Sequence, residues 1–333
     1  MTRYALFPRE KVVLKSLSGS GHDLKPQDCL ELRAPGTVLR SGDLEQLATA
    51  IMAARRAARP VVLYLGAPPI KFGLSRFVID WIRRGLVTHI ATDGAGLILD
   101  YELAAAERSS EPAGHPIQRG QFGPSHETGR LNEIIRQAAH RGEGLGEALG
   151  RTIYEENLPH RDLSIAAAGW RAGVPVTAHV TIGADIIHAH TSCDGAALGQ
   201  TSYTDFLIFA RSIHDLEGGV YLNVGSAVTG PEVYQQALSM ARNVAGQHGR
   251  EIRHFTTGVL DLVPLPANFR DGAPGKDHPL HYFRPWKTIL AGTLADGGKS
   301  HYVCGDHTET IPTLWQHLVT RLQKGYELAG SAA

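Results

Sequence analysis

Two short apolar runs separated by a helical stretch restrict the fold of this chain more than any other feature. In PVVLYLGA, Val61, Val62, Leu63 and Leu65 lie almost side by side, the pattern of a strand covered on both faces. Leu74, Phe77, Val78, Trp81 and Ile82 follow at the spacing of one helical face, and Arg83, Arg84 and Gly85 close that helix with cations and a glycine. LVTHIAT at residues 86–92 supplies a second strand. Strand, crossover and strand in this order make a right-handed parallel unit.

The alternation then repeats. DLSIAAAGWRAG leads into VPVTAHV, FLIFARSIHDL into GVYLNVGSA, and PEVYQQALSMARN toward REIRHFTTGVLDLV. A polar stretch at 106–128 and a glycine-bearing helical stretch near 130–157 interrupt it. Residues 265–285, rich in proline, glycine, histidine and aspartate, read as a long loop of the kind that carries function. SHYVCGD and a helix from about Thr310 complete the pattern. The expected fold class is α/β, a doubly wound, mostly parallel, Rossmann-like sheet. We expect a single domain over residues 1–333, with an N-terminal extension over about residues 1–58.

Composition narrows the function classes. Lysine plus arginine and aspartate plus glutamate each number 33, a balance that leaves no electrostatic footprint for nucleic acid or an anionic membrane. No apolar run has the length of a signal-peptide core or a bilayer span. Cys29, Cys193 and Cys304 cannot all pair within the chain, which fits a reducing compartment. The expectation is a cytoplasmic protein acting on a small molecule.

Ligands of open parallel sheets bind beyond the carboxyl ends of the strands, where loops present amides and helix N-termini. Three such ends carry glycine: Gly66 with Ala67, TDGAG at residues 92–96, and NVGSA at residues 223–227. Thr92, Asp93, Gly94, Ala95, Gly96, Asn223, Gly225 and Ser226 are therefore candidate nucleotide contacts. Each turn taken singly is also explained by a simple need to reverse direction, and no strict GxGxxG follows a strand in the N-terminal half.

Taken in order, these blocks resemble the deoxyhypusine synthase family. YLGAPPIKFGLSRFVIDWIRRGLVTHIATDGAG is similar to the family block running from TSNLISSG to TTAGG. CDGAALG resembles TDGSLGD, and LNVGSAVTGPEVYQQALSMARN resembles the GGGVVKHHI segment and its helix. RPWKTI resembles SWGKI, and YVCGDHTETIP resembles YADATLVFP. The resemblance spans residues from about 60 to 320. It implies NAD as cofactor, held against Ala67, Thr92, Gly94, Ala95, Asp194 and Asp306. It implies a homotetramer with active sites at subunit interfaces, and transfer of an alkyl group from an oxidised amine through an imine on a lysine. Lys287 is that lysine in this sequence, and Trp286 its substrate-contacting neighbour. The family has one residue between its tryptophan and lysine where Trp286 and Lys287 are adjacent.

A lysine attacks a carbonyl only as the neutral amine, a form promoted by apolar cover and neighbouring cations. Trp286, Ile289 and Arg284 supply both near Lys287, although a solvated surface amine is the ordinary fate of lysine. The family's acidic residues are replaced here by Leu97, Ile98 and Leu99, with Asp100 the next acid, and by Gly199 or Gln200. A polyamine needs carboxylates to offset its desolvation, so the substrate is expected to be a small amine or amino acid other than spermidine, with Asp100 as a contact.

Seventeen histidines concentrate in two clusters, IIHAHTSCD with His188, His190, Cys193 and Asp194, and HYVCGDH with His301, Cys304, Asp306 and His307. His190 or His307 is placed to shuttle a proton, and His307 joins the cofactor contacts. On a strand, His188 and His190 would share a face as paired metal ligands do, but the spacing matches no established zinc signature, and no metal is expected. The alternatives to an NAD-dependent transferase are a metal-assisted hydrolase and a non-catalytic dinucleotide-binding module.

Overall fold

The computed structural model describes residues 2–14, 24–36, 38–105 and 129–325. The polar stretch at 106–128 lies outside them. Six strands make one parallel sheet: β1 (Val61–Leu65), β2 (His89–Asp93), β3 (Val176–His179), β4 (Val220–Val224), β5 (Thr256–Asp261) and β6 (Lys299–Cys304). Their spatial order is β3-β2-β1-β4-β5-β6. The chain builds outward from β1 to β3, returns to the other side of β1, and builds outward again, so direction reverses between β1 and β4. The expected doubly wound α/β sheet is present, and all its pairings are parallel.

Because side chains alternate along a strand, β1 divides its residues between two cores. Val61, Leu63 and Leu65 face a layer of α1 (Gly42–Arg56), α3 (Ser75–Arg83), α4 (Gly94–Ala105), α7 (Ile165–Ala172) and α11 (His307–Gln323). The short α2 (Ala67–Lys71) and the helices α5 (Gly129–Arg141) and α6 (Leu145–Glu155) complete that side. Val62 and Tyr64 face α8 (Gly195–His214), α9 (Thr229–Gly246), a π-helical turn over Pro285–Leu290 and α10 (Ala291–Ala295). Each residue of β1 is at most 1% exposed, which is why an uninterrupted apolar run was needed there.

Caps fix several helix starts. Ser41, Ser164, Asp194 and Asp306 accept amide hydrogens from the first turns of α1, α7, α8 and α11. Within residues 1–58, α1 buries Leu44, Leu47, Ile51 and Met52 on the sheet. The stretch near 130–157 is two helices, α5 and α6, separated at residues 142–144. Asp205 of α8 is fully buried and accepts the Gly146 and Ala178 amides at 3.0 and 2.8 Å, tying the start of α6 to edge strand β3.

Candidate active site

The carboxyl ends of β1 and β4 flank the point of reversal. The Gly66 amide donates to the Val224 carbonyl at 2.9 Å. A Cβ on Gly66 would lie 2.2 Å from the Gly225 carbonyl oxygen, far inside van der Waals contact distance, so the two turns touch only because residue 66 lacks a side chain. Gly225 has φ +66°, and a Cβ there would stand 2.9 Å from His307 Nε2 and 3.1 Å from Pro69 Cδ. Asn223 Nδ2 donates to the Ser226 carbonyl at 2.8 Å, and Ser226 Oγ accepts the Gly230 amide at 2.9 Å. Gly66, Asn223, Gly225, Ser226 and His307 thus converge. The close contacts of both glycines are with protein atoms, backbone at Gly66 and the His307 and Pro69 side chains at Gly225, so packing within the chain explains their presence.

The turn after β2 joins this group through Asp93. Its Oδ1 accepts the Gly96 amide at 2.7 Å, and the Ala67 amide also bonds to its carboxylate. Proline at positions 68 and 69 removes the next two amides of α2. A carboxylate therefore occupies the position at the first helix where a phosphate sits in many nucleotide folds. Ala95 faces solvent, whereas Thr92 is 4% exposed and its hydroxyl has no partner among the described residues.

Asp185, in the loop after β3, packs on the same turn, with its Oδ2 2.2 Å from where a Gly94 Cβ would be. Burial raises its pKa to about 6, reinforced by the Asp93 charge. Burial raises that of Asp93 as well, against the pull of its backbone bonds. Burial holds the Tyr64 hydroxyl protonated, and the charges of Asp93 and Asp185 add to that effect. The His179 ring stacks on Tyr64 at 5.7 Å, and burial lowers its pKa to about 3, so it is neutral. Tyr64, His179 and Asp185 were not anticipated from sequence. Tyr64 reads as core within an apolar strand, and Asp185 stands in the loop TIGADII with nothing local to mark it.

Asp194 and Asp306, expected at the cofactor, are helix caps: Asp194 accepts the Ala196 and Ala197 amides at 3.0 and 3.1 Å, and Asp306 accepts from Thr308 N and Oγ1 at 2.7 and 2.6 Å. Burial lowers the pKa of His307 although Asp261 and Asp306 oppose the shift. His188 lies in a 3-10 turn, Ile186–Ala189, that ends at His190, so the pair does not share a strand face. His188 Nδ1 accepts the Gly183 amide at 3.1 Å, and His190 Nδ1 faces Ser192 N and Oγ at 3.0 and 2.7 Å. Among the described residues no group of three or more His, Cys, Asp or Glu is arranged to hold a metal.

The remaining expected residues are engaged by other parts of the protein. Asp100 is 2% exposed, and its oxygens are engaged by Ser164 Oγ and the Ile165 and Ala166 amides at the start of α7. Trp286 is buried, with its indole N–H donating to the carbonyls of Phe269 and Gly272, both at 3.0 Å. Lys287 is exposed on the π-helical turn, its Nζ 3.2 Å from His281 Nε2. It lines a groove of about 660 Å³ with Gln235, Ser239, Arg284 and Thr288, and no residue of that groove belongs to a strand end. The amine and the converging turns therefore occupy different parts of one chain.

No protein-family model matches the sequence, nor does any curated protein. Solved structures share the fold. The ternary complex of AgrE with ornithine and NAD+ matches with a TM-score of 0.50 and 14% identity, over 86% of this chain and 34% of that one. An LOR/SDH protein from Methanococcus maripaludis S2 matches with a TM-score of 0.49 and 12% identity, over 87% and 74% of the two chains. A protein assigned as a deoxyhypusine synthase from Entamoeba histolytica gives 0.45 and 10%, over 86% and 90%. The last two likenesses are too loose to bear any argument. The first is one of fold, and this chain spans about a third of the length of AgrE. No helix among the described residues is long and apolar enough to cross a membrane.

Proposed function

We propose that this chain is an NAD-dependent enzyme that oxidises a C–N bond of a small amine or amino acid in the crevice between β1 and β4. The observation that carries the proposal is the convergence of the β1, β2 and β4 turns at the point where strand order reverses, the position at which open α/β sheets bind nucleotides. AgrE, which shares the fold, was solved with ornithine and NAD+, a pairing of amine and cofactor that suits the same reading.

The residues present fit a dinucleotide in a particular way. Asp93 takes the Ala67 amide, so the phosphates are placed not at α2 but at the turn after β4. There Ala227 and Val228 are exposed ahead of the 18-residue α9, whose N-terminus favours an anion. Asn223 Oδ1, fully buried and without a partner among the described residues, would orient the cofactor alongside Ser226. When bound, NAD supplies the hydride acceptor. The chain supplies position and exclusion of water, through Tyr64 and Tyr221 walled by Phe209.

Onward transfer of the alkyl group through Lys287 is the finer form of this proposal. With Lys287 in a separate groove, transfer requires the groove of one copy to face the crevice of another, as in a homotetramer with sites between subunits. NADH formation at 340 nm with ornithine, arginine, lysine and putrescine tests the oxidation. Absence of NAD binding by calorimetry refutes it, and binding without turnover points to the dinucleotide-binding module. Borohydride trapping during turnover tests transfer; a stable adduct on Lys287 is expected, and none forms if the product is simply released.

A further inference from the structure

The proposed function leaves open how an amine would be recognised, since the acids that the resemblance leads one to expect are missing from their places and Asp100 is occupied in capping α7. A different acidic site stands in the crevice. Asp185 packs against the backbone of Gly94 with Oδ2 buried and without a hydrogen-bond partner among the described residues. Asp93, the residue before Gly94, is its nearest charged influence. Backbone amides hold both carboxylates, from Gly96 and Ala67 for Asp93 and from Thr181 for Asp185. Among the described residues, no lysine or arginine pairs with either.

Two like charges placed together, partly out of water and with no cationic partner among the described residues, make an arrangement that is unfavourable until a cation arrives. An acidic pair can still be an incidental result of helix capping, and the Asp93 bond to Gly96 has that character. Tyr64 supplies an independent observation. Its side chain is fully buried, its hydroxyl has no hydrogen-bond partner among the described residues, and both acids act on it electrostatically. A buried hydroxyl without a partner forfeits about 1–3 kcal/mol, a cost that folding alone gives no reason to retain, since phenylalanine would fill the same space. The stacked His179 ring is neutral and adds no competing charge.

We infer that Asp185, Asp93 and the Tyr64 hydroxyl form the pocket for the primary ammonium group of the substrate. The ammonium donates to Asp185 Oδ2 and to the Tyr64 oxygen, and its charge offsets the pair. A metal ion is the competing occupant of any acidic site, but hard divalent cations favour six or more oxygen ligands, and the described residues hold no metal-sized cluster. This inference rests on the same crevice as the proposed oxidation, but it concerns binding alone.

Calorimetric titration of the full chain without NAD separates the two. The probes are L-ornithine, L-arginine, L-lysine and putrescine, with 1,4-butanediol as the uncharged match to putrescine, and MgCl2 and CaCl2 as metal probes. At least one amine is expected to bind and the diol not to. Asp185→Asn is expected to weaken amine binding roughly 10- to 100-fold, the loss of one charged hydrogen bond. Tyr64→Phe should weaken it several-fold while leaving the thermal midpoint unchanged or higher, because the deleted hydroxyl has no hydrogen-bond partner among the described residues. A circular-dichroism melt confirms that each variant folds, and retained NAD binding shows that the crevice persists. Equal binding of amine and diol, no binding by any amine at millimolar concentration, wild-type affinity in both variants, or a response to Mg2+ or Ca2+ alone would overturn the inference. Amine binding without NADH formation would instead defeat the oxidation and leave the ammonium pocket standing.

Discussion

Replacing Asp100 separates a structural acid from a substrate contact. In the fold, one carboxylate on α4 organises the start of α7: Oδ1 accepts the Ile165 amide at 2.6 Å, and Oδ2 accepts Ser164 Oγ at 2.6 Å and the Ala166 amide at 3.2 Å. Asp100→Ala leaves three buried donors without an acceptor. At about 1–2 kcal/mol for each, the loss is about 3–6 kcal/mol when the carboxyl is protonated. Burial raises the folded pKa from 3.8 to about 6, more than its three hydrogen bonds lower it. The unfolded chain therefore gives up this proton first as pH rises. Wild-type stability from this group falls between about pH 4 and 6 and is constant above, by about 3 kcal/mol in all at 1.36 kcal/mol per pKa unit.

Asp100→Ala lacks that titration, so its deficit relative to wild type should shrink as pH rises, by about 1.4 kcal/mol between pH 5 and neutrality. Asp100→Asn keeps an acceptor for Ile165 and gives up the one for Ala166. It should lie within about 1 kcal/mol of wild type at neutral pH, where loss of a hydrogen bond is offset by removal of the buried charge. Urea denaturation followed by circular dichroism, at several pH values with midpoint and slope compared, measures both effects. An unchanged urea midpoint in Asp100→Ala, or a deficit independent of pH, would refute this account. A variant with unaltered stability and a raised KM would restore Asp100 to the substrate.

Two further substitutions probe the scaffold. Gly66→Ala places a Cβ 2.2 Å from a backbone carbonyl that cannot swing aside; we expect a loss of about 3 kcal/mol or more together with loss of NAD binding, and an unaltered melt would show that the two turns are free to separate. Asp205 has its pKa raised to about 8 by burial, despite the Ala178 and Gly146 amides, so its contribution to stability is fully present below about pH 4 and declines until pH 8. Asp205→Asn should therefore gain on wild type by several kcal/mol between pH 5 and 9 in paired urea titrations, and parallel pH profiles would disprove the buried-acid assignment.

The alternating elements were readable because each depends on its own few residues. The apolar run of β1, the helical spacing of Phe77, Trp81 and Ile82, and the succession of strands record periods of two and 3.6 that any local window contains. The stretch IIHAH shows the limit of such windows. Its β-branched pair suits a strand, yet after β3 the chain has reached the edge of the sheet, and it turns in a 3-10 helix instead. Asp194 and Asp306 are readable in two ways, since an acid before a helix can equally cap it or face a ligand. The distances to the Ala196, Ala197 and Thr308 amides establish the capping role.

Local sequence was thus sufficient for the parallel sheet, its two covered faces and the glycine turns at its carboxyl edge. It could not reveal that Asp185 packs on Gly94, that Tyr64 stacks on His179, or that Lys287 opens onto a groove along α9. Those placements follow from the strand order β3-β2-β1-β4-β5-β6, which brings together ends remote in the chain. Hydrogen bonding and burial, which turn an aspartate into a cap, a clamp or an open acceptor, are properties of that assembled neighbourhood, and no run of adjacent residues encodes them.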